Sequence, residues 1–297
     1  MEIKLNKFSG PFSLEHTLNC GQLFRWKKLE DWWYGVVSNR VIKIKQNKDI
    51  LIFQIFPETE NVKFVEHYLR LDDNLQSILF EINKDEHIKE AIKHFSGLRL
   101  CRQEPWECLI SYICATYKNI PAIKKMVTSI AKHFGDKLVV DGYTFNTFPK
   151  PSILAQASLK ELQQCSLGFR SKYILETAKI VNSQELFFDS LKNIDYLQAK
   201  KILLNLPGVG QKVADCVLLF SLEKLDAFPI DVWIKRAVTS IYASHFNFSF
   251  IQRILVKASL TSKEYETLNY FGRKYFGRYA GYAQEYLFHL LRNQQKK

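Results

Sequence analysis

The chain has 297 residues, of which 47% are hydrophobic and 14% aromatic, and 42 Lys and Arg residues stand against 30 Asp and Glu. This composition excludes an intrinsically disordered chain and supplies enough apolar material for two domains or one large one. No apolar run approaches the roughly 18 residues of a membrane span, so we expect no contact with a membrane. The mixed charge of the first residues gives no secretory signal, which predicts a cytosolic location.

The six cysteines contain no CxxC pair. Pairs of that spacing are typical of zinc knuckles and redox dithiols, so neither is expected here. The thiols of a cytosolic protein stay reduced, and buried free cysteines are the simplest interpretation. The pattern therefore indicates no redox cofactor and no catalytic metal.

The positive charge is unevenly distributed along the chain. Residues 1–100 carry 15 basic and 14 acidic side chains, whereas residues 101–297 carry 27 and 16. A basic excess confined to one part of a protein attracts polyanions, and nucleic acid is the commonest of these. A solvated surface that is merely rich in lysine is the alternative at this stage.

The first hundred residues change from a period of two to a helical period. Residues 33–37, 41–45 and 50–56 alternate apolar and polar side chains and are separated by short polar turns, which predicts an antiparallel β-meander. After Pro57, apolar residues recur at helical spacing near 62–69, 78–82 and 88–95. Ser96 and Gly97 then mark a stop.

From about residue 105 onward the pattern is that of amphipathic helices. It is interrupted at Gly135, in a loop over 141–151, at Gly168 and at Pro207-Gly208. The fold class is therefore predicted as α+β. An N-terminal domain over 1–98 would hold an antiparallel sheet and helices, and an all-helical domain would follow over 99–297.

The stretch Leu206-Pro207-Gly208-Val209-Gly210 separates two predicted helices, one ending at Asn205 and one beginning near Gln211. Two glycines around one apolar residue permit positive φ angles and expose bare N–H groups. Together with the positive end of the second helix, these amides would form a phosphate site. Gly208, Val209 and Gly210 are thus candidate DNA contacts, although a tight turn without a ligand has the same appearance.

Lys212 and Asp231 are the candidate chemical groups behind this hairpin. Lys212 falls in the first turn of the second helix, where the helix dipole disfavours its positive charge. A lysine is a nucleophile only when neutral, so burial or nearby positive potential has a chemical use there. Asp231 precedes the next predicted helix and, taken alone, would be an N-cap.

With these residues the sequence resembles the helix-hairpin-helix DNA glycosylase superfamily, and within it the 8-oxoguanine DNA glycosylases. Four motifs in order carry the resemblance and span nearly the whole chain. They are Cys20-Gly21-Gln22-Leu23-Phe24-Arg25-Trp26, Glu107-Cys108-Leu109-Ile110-Ser111-Tyr112-Ile113-Cys114, the hairpin with Lys212 and Asp231, and Tyr279-Ala280-Gly281-Tyr282-Ala283-Gln284-Glu285-Tyr286-Leu287-Phe288.

The resemblance implies a bifunctional glycosylase and lyase acting on duplex DNA that contains oxidised guanine. Lys212 would attack the anomeric carbon of a flipped nucleotide, expel the base and hold the sugar as a Schiff base before β-elimination. Asp231 would stabilise the cationic sugar. The N-terminal domain would resemble the TATA-binding protein, and the active site would lie between two helical lobes of a monomeric enzyme.

The resemblance also implies a base pocket. Cys216 lies one helical turn after Lys212, and its thiol would pack on the extruded base. Phe288 would stack on the other face, and Gln284, four residues earlier, would hydrogen-bond the Watson–Crick edge. The carbonyl of Gly21 would accept the N7 proton that oxidised guanine has and guanine lacks.

Some positions depart from the family. In Tyr117-Lys118-Asn119-Ile120-Pro121-Ala122, which the resemblance implies contacts DNA, the family has Asn at the first position and Arg at the last. The tyrosine can still fill the gap left by the base through stacking. Alanine offers no donor to the orphan cytosine, which predicts weakened discrimination of the opposite base.

Three further positions bear on the DNA contact by resemblance. Phe169 replaces a wedge tyrosine, and Arg170 matches an arginine that contacts the cytosine. Trp233 replaces a histidine at a phosphate contact, where its indole N–H can donate one hydrogen bond without carrying charge. The resemblance also permits a structural cation held by the carbonyls of Leu204, Leu206 and Val209.

Other functions share parts of this pattern. A non-catalytic helix-hairpin-helix protein would keep the hairpin alone. A glycosylase for another damaged base is the second alternative. An endonuclease III-type enzyme normally has a four-cysteine iron–sulfur cluster near its C-terminus. No cysteine follows Cys216 in this sequence, which argues against that type. An alkylated-purine glycosylase has the aspartate but lacks a lysine at the position of Lys212.

Overall fold

The computed structural model describes residues 1–58, 61–184 and 187–294. Its N-terminal part contains a five-stranded antiparallel sheet with the strand order β1-β5-β4-β3-β2. The strands are β1 (Glu2–Lys4), β2 (Trp26–Leu29), β3 (Trp32–Val37), β4 (Arg40–Asn47) and β5 (Ile50–Phe56). The predicted meander over β3, β4 and β5 is confirmed.

The two outer strands were not predicted. Both are short, and β2 carries two exposed lysines, so neither gives a clear period of two. Their place in the sheet depends on contacts across strands: a Cβ atom on Gly35 would lie 2.3 Å from the Trp26 ring. The glycine therefore lets the indole pack flat on the neighbouring strand, and the indole N–H donates to the Tyr68 hydroxyl at 2.8 Å.

Helices make up most of the remaining chain, as the periodicity predicts. They are α1 (Leu14–Asn19), α2 (Val62–Tyr68), α3 (Leu75–Ile82), α4 (Glu86–His94), α5 (Pro105–Cys114), α6 (Ile120–Phe134), α7 (Pro151–Gln156), α8 (Leu159–Gln164), α9 (Arg170–Asn182), α10 (Phe187–Lys192), α11 (Tyr196–Leu203), α12 (Gln211–Ser221), α13 (Val232–Ser240), α14 (Phe248–Leu255), α15 (Ser262–Phe276) and α16 (Ala280–Gln294). Short 3₁₀ turns cover Leu5–Lys7, Ala243–His245 and Gly277–Tyr279. Among the described residues, none of the helices has the length and apolar character needed to cross a bilayer.

One segment after Gly135 was predicted wrongly. Instead of a helical stretch and a loop over 141–151, the chain forms a two-stranded hairpin of β6 (Lys137–Val140) and β7 (Tyr143–Asn146). Asp141 and Gly142 both adopt positive φ, the turn chemistry of a two-residue hairpin. Buried side chains of the hairpin pack against those of the main sheet, namely Val140, Phe145, Tyr34, Val36 and Val41. The apolar surface of the main sheet therefore stabilises the hairpin, which the local sequence period does not predict.

The main apolar core joins helices from both ends of the chain. Buried residues of α3 and α4 belong to the same cluster as those of α5, α12 and α16, whereas a second cluster lies between the sheet and α1 and α2. The site helices α12 and α16 are therefore backed by one continuous core. The boundary between domains after residue 98 stays a prediction.

Two buried arginines connect the segment after α2 with its surroundings. The side chain of Arg99 is 0% exposed and donates to the carbonyl oxygens of Arg70, Asp73 and Ser9. Arg70 in turn pairs with Glu223, which follows α12, through two contacts of 2.9 Å. The N-terminal part and the site helix are thus joined by charge-assisted hydrogen bonds.

Replacing Arg99 with methionine should destabilise the protein by about 3 kcal/mol or more, because three carbonyl oxygens lose their donor. The free energy of unfolding in urea measures this effect. Lys93→Met removes an exposed cation nearby and should stay within about 0.5 kcal/mol of the wild type. Equal stability of the two variants would contradict the role assigned to Arg99.

Candidate active site

The hairpin between α11 and α12 has the predicted position. The first helix ends at Leu203, two residues before the predicted end, and the second begins at Gln211. Gly208 has a φ of +78°, and a Cβ there would lie 2.8 Å from Cβ of Tyr173. Glycine is therefore required by both conformation and space.

Gly210 has a different role from the one predicted. Its φ is −94°, so the expectation of positive φ at both glycines is wrong for this residue. Gly210 is instead the N-cap of α12, it is exposed, and nothing lies within 4 Å of where a Cβ would be. Val209 points its side chain into the core. The outward surface of the turn thus consists of backbone at a helix N-terminus, a suitable site for a phosphate.

Lys212 and Asp231 come together behind this turn. Lys212 is half-buried at the second position of α12, with Nζ 5.0 Å from the centre of the Tyr112 ring. Asp231 is the N-cap of α13 and accepts the Ile234 N–H at 2.8 Å. Burial raises the pKa of Asp231, while the Ile234 amide and then the charge of Lys212 act to lower it. Asp231 is therefore an N-cap and an electrostatic neighbour of Lys212 at once.

A buried hydrogen-bond network fixes this arrangement, and its centre is Asp215 on α12. The Tyr265 hydroxyl donates to Asp215 at 2.7 Å and accepts the Ile230 N–H at 3.0 Å. The Asn269 amide donates at 3.0 Å to both Asp215 and the carbonyl oxygen of Phe228. Because Phe228 and Ile230 lie three residues and one residue before Asp231, the network connects the backbone of the second catalytic candidate to the helix of the first.

The same carboxylate receives two more donors. Tyr196 donates its hydroxyl to Asp215, and Lys200 forms a buried ion pair with it at 2.9 Å. Burial raises the pKa of Asp215, and the neighbouring cation and tyrosine hydroxyls partly offset that rise. Sequence reasoning missed this residue because an Asp inside an apolar helix reveals its partners only after folding.

The residues predicted for the base pocket also converge. Gly21 has a φ of +121°, and a Cβ there would lie 3.1 Å from the Phe288 ring and 2.7 Å from the guanidinium of Arg292. Arg292 donates to the carbonyl oxygen of Cys20. The turn before β2 and the last helix thus form two adjoining walls, with no room for a side chain at Gly21.

The other wall residues are buried. Gln284 is 4% exposed, and within the described ranges its Oε1 has no hydrogen-bond partner. Cys216 lies one turn beyond Lys212, and burial raises the pKa of its thiol to about 12, against a lowering effect of Lys212. The thiol is therefore a neutral packing group. Glu285, next to Gln284, is also buried at this place and was missed by sequence reasoning.

Two exposed aromatic side chains mark the predicted wedge positions. Tyr117 is 83% exposed and has a φ of +55°, unusual for a residue with a large side chain. Phe169 is 57% exposed. Lys118 and Asn119 are exposed beside Tyr117, and Asn119 caps α6 by accepting the N–H of the adjoining Ala122. Large apolar side chains held out in solvent are typical of a binding surface.

Arg170 does not lie on that surface in this structure. It is 3% exposed and donates to the carbonyl oxygens of Leu167 and Thr116. The expectation of a guanidinium presented to an orphan cytosine is thus not met by this conformation. Arg170 instead joins the segment before Tyr117 to the segment that carries Phe169. The guanidinium carbon of Arg170 lies 4.4 Å from the centre of the Phe169 ring.

Trp233 is half-buried in the first turn of α13 and is accompanied by a cation. The guanidinium carbon of Arg236 lies 5.1 Å from the centre of the Trp233 ring. This geometry is a cation–π contact. The positive charge that an indole lacks is therefore supplied one turn further along the same helix.

Comparison with known proteins agrees with this geometry. Residues 4–109 match the N-terminal domain of 8-oxoguanine DNA glycosylase, and residues 110–252 match the HhH-GPD superfamily of base excision DNA repair proteins. The chain is 31% identical to the N-glycosylase/DNA lyase OGG1 of Arabidopsis thaliana over 93% of this chain and 76% of that protein. It belongs to the 8-oxoguanine DNA glycosylase family.

Solved structures of the family superpose over nearly the whole chain. The 8-oxoguanine glycosylase/lyase of Clostridium acetobutylicum, in complex with double-stranded DNA containing cytosine opposite 8-oxoguanine, gives a TM-score of 0.84 at 30% identity and covers 96% of this chain and 93% of its own. A probable N-glycosylase/DNA lyase of Methanothermobacter thermautotrophicus is 28% identical over 94% of this chain and 93% of its own. The family fold thus extends over both the sheet and the helical part.

The Asp215 network should matter for activity and for stability in this family member. Tyr265→Phe removes a donor to Asp215 and leaves the buried Ile230 N–H unpaired, which should cost about 1–3 kcal/mol in the free energy of unfolding. Because the turn that carries Asp231 is then less fixed, single-turnover release of the damaged base should slow by about tenfold.

Tyr270→Phe is the matched control, since Tyr270 lies on the same helix and is 63% exposed. It should keep the stability and the rate of the wild type. If the two tyrosine variants behaved alike in urea unfolding and in base release, the positioning role of the network would be refuted.

Proposed function

We propose that the chain is a bifunctional DNA glycosylase and AP lyase that releases 8-oxoguanine from duplex DNA in base excision repair. One observation carries the proposal most directly: Lys212, directly behind the hairpin, is an electrostatic neighbour of Asp231 and lies one turn before Cys216. A lysine, a fixed carboxylate and buried side chains that can pack on a base, next to a phosphate site, are what base release with a covalent intermediate needs.

Lys212 is the proposed nucleophile. Its neutral amine attacks C1′ of the flipped nucleotide, and the bond to the base breaks with the electron pair leaving on the base. The attacking nitrogen passes one proton to the departing base, and the C1′–O4′ bond then breaks with its electron pair leaving on O4′, which takes a proton from solvent, so that a protonated Schiff base remains. Removal of a C2′ proton then expels the 3′ phosphate by β-elimination.

Asp231 is the proposed electrostatic partner. As the glycosidic bond breaks, positive charge develops on the sugar, and a carboxylate fixed by the Ile234 N–H stabilises it without reorganising. Because its pKa is raised, Asp231 becomes protonated at a higher pH than an ordinary aspartate does. Activity that depends on its ionised form should therefore fall at a higher pH than it would for an exposed carboxylate.

The proposed base pocket uses the two walls described above. The Gly21 carbonyl accepts the N7 proton of the oxidised base and leaves undamaged guanine without that bond, which costs about 1–3 kcal/mol. Phe288 and Cys216 pack on opposite faces of the base. Gln284, whose buried Oε1 has no partner in the described part of the chain, accepts from the Watson–Crick edge.

The proposed DNA contacts are made by backbone amides and by aromatic side chains. The amides of the turn Gly208, Val209 and Gly210 bind a phosphate, and Trp233 with Arg236 binds another. Tyr117 fills the gap left by the flipped nucleotide and Phe169 wedges the strand beside it, while the adjoining Lys118 and Asn119 face the backbone.

A structural cation is compatible with the hairpin. The carbonyl of Leu206 accepts the Val209 N–H at 3.1 Å, and its second lone pair stays available. With the carbonyls of Leu204 and Val209 it would hold the ion, which would draw a DNA phosphate to the turn. No redox cofactor has a place in this mechanism. We also propose a monomer in the cytosol, which the six free, buried thiols support.

Lys212→Gln should abolish the covalent adduct that borohydride traps between the wild-type protein and a duplex containing 8-oxoguanine, because glutamine has no nucleophilic amine. Gel electrophoresis of the trapped product measures this. Lys63→Gln, which replaces an exposed lysine of α2, should trap normally. A wild type that is never trapped, or a Lys212→Gln variant that releases base at full rate, would refute the proposal.

The wild type should release 8-oxoguanine opposite cytosine and opposite adenine at similar rates, because Ala122 offers no side-chain donor and Arg170 is buried. Ala122→Arg should raise the ratio of the two rates by about tenfold, since a bidentate arginine contact to a base contributes about 1–3 kcal/mol of discrimination. Single-turnover rates on the two duplexes measure the ratio. A large cytosine preference in the wild type would contradict this prediction.

A further inference from the structure

Glu285 is a buried acid that the mechanism above does not use. It lies on α16 next to Gln284, is 3% exposed, and its Oε1 has no hydrogen-bond partner in the part of the chain that the structure describes. Phe288 follows Glu285 by three residues and Gln284 by four, so both polar side chains share a side of the helix with the Phe288 ring. Two buried acceptor oxygens therefore lie on the side of α16 that carries the Phe288 ring.

The neighbours of Glu285 come from every wall of the site. The groups that interact with it electrostatically are Cys20 from the Gly21 turn, Cys101 before α5, Tyr112 on α5, Cys216 on α12, Asp231 before α13 and Arg292 on its own helix. The thiol of Cys20 donates to the carbonyl oxygen of Thr17 at 3.4 Å. Arg292 donates to the carbonyl oxygen of Cys20.

This arrangement is unfavourable for the folded protein alone. A buried acceptor without a donor costs free energy, and a buried carboxylate without a bound cation costs more. Burial raises the pKa of Glu285 to about 7. By contrast, Glu107 has a similar shift, to about 7, but is paired with Arg25 at 3.2 Å. Of the two acids, Glu107 alone has an ion-pair partner among the described residues.

The chemistry of the two orphan oxygens defines their ligand. Both Gln284 Oε1 and Glu285 Oε1 are acceptors, so they match a group that presents adjacent N–H donors. The edge of an oxidised guanine has N1–H and a 2-amino group side by side. Adenine offers one amino group next to an unprotonated ring nitrogen, which a carboxylate repels.

We propose that Glu285 is a specificity-determining residue, whose carboxylate accepts an N–H from the Watson–Crick edge of the flipped oxidised purine alongside Gln284. The inference rests on the proposed function and deepens it. The damaged base supplies the missing donor, so the unfavourable burial is relieved only in the complex. The burial of Glu285 thus lowers the stability of the free enzyme, and a base that supplies the missing donor binds more tightly than one that does not.

Three variants test the assignment. Glu285→Met removes both oxygens, and single-turnover release of 8-oxoguanine should fall by about tenfold or more. Glu285→Gln keeps one acceptor and should lose less. Cleavage of a preformed abasic site needs Lys212 but no base, so it should stay within about twofold of the wild type in both variants.

The third variant is the matched control Glu107→Met, which deprives Arg25 of its partner. It should lower the unfolding midpoint and leave base release within about twofold. Glu285→Met should raise the midpoint instead. The native pKa near 7 lies above the ordinary glutamate value, so wild-type stability falls as pH rises from about 4.5 to 7. The gain from Glu285→Met should therefore be larger at pH 8 than at pH 5.

Each adverse outcome has a distinct meaning. Equal base release by the wild type and Glu285→Met would overturn the inference alone. A lower unfolding midpoint of Glu285→Met, with base release and abasic cleavage reduced together, would make Glu285 a structural residue and also overturn it. A wild type that neither releases base nor cleaves abasic DNA would overturn the proposed function, and this inference with it.

Discussion

The buried carboxylate of Asp215 is the constraint on which the rest of the site depends. It lies on α12 between Lys212 and Cys216, and it collects hydrogen bonds from α11 and α15. Through Tyr265 and Asn269 the same network holds the backbone just before Asp231. An unpaired charge in this place would be strongly destabilising, so all of its donors must be present together. The network thereby fixes the position of Asp231, the proposed electrostatic partner, relative to the helix of Lys212, the proposed nucleophile.

Three buried acids around the site, Asp215, Asp231 and Glu285, differ in their surroundings more than in their chemistry. Asp215 is buried with a cation and three other donors, Asp231 is held by a helix N-terminus beside Lys212, and one oxygen of the buried Glu285 has no partner among the described residues. In all three burial raises the pKa, yet the compensating groups differ. These differences underlie the three roles assigned here, namely the structural role of Asp215 and the proposed roles of Asp231 toward the sugar and of Glu285 toward the base.

On the surface proposed to face DNA, the groups that can bind phosphates are separate from the aromatic side chains that can stack on bases. The hairpin presents amides of a turn whose only apolar side chain is buried, so it can hold a phosphate without regard to sequence. Tyr117 and Phe169 are presented on neighbouring segments, and Arg170 joins those segments from inside. The internal position of Arg170 and the lack of a side-chain donor at Ala122 are the two observations behind the predicted loss of opposite-base discrimination.

The sequence by itself determined the elements whose patterns are local. The central strands, the helices, the hairpin, the N-cap at Asp231 and the placement of Lys212 in a first turn follow from periodicity and from short-range chemistry, and these predictions are confirmed. Two local predictions are wrong: the segment after Gly135 forms a hairpin because the main sheet packs against it, and Gly210 has a negative φ because it is the N-cap of α12. Only the tertiary structure decided the edge strands, the Asp215 network, the internal position of Arg170 and the unpartnered oxygen of Glu285. Each of these depends on contacts between residues far apart in the chain, and a polar side chain in an apolar stretch does not reveal its partner until the chain has folded.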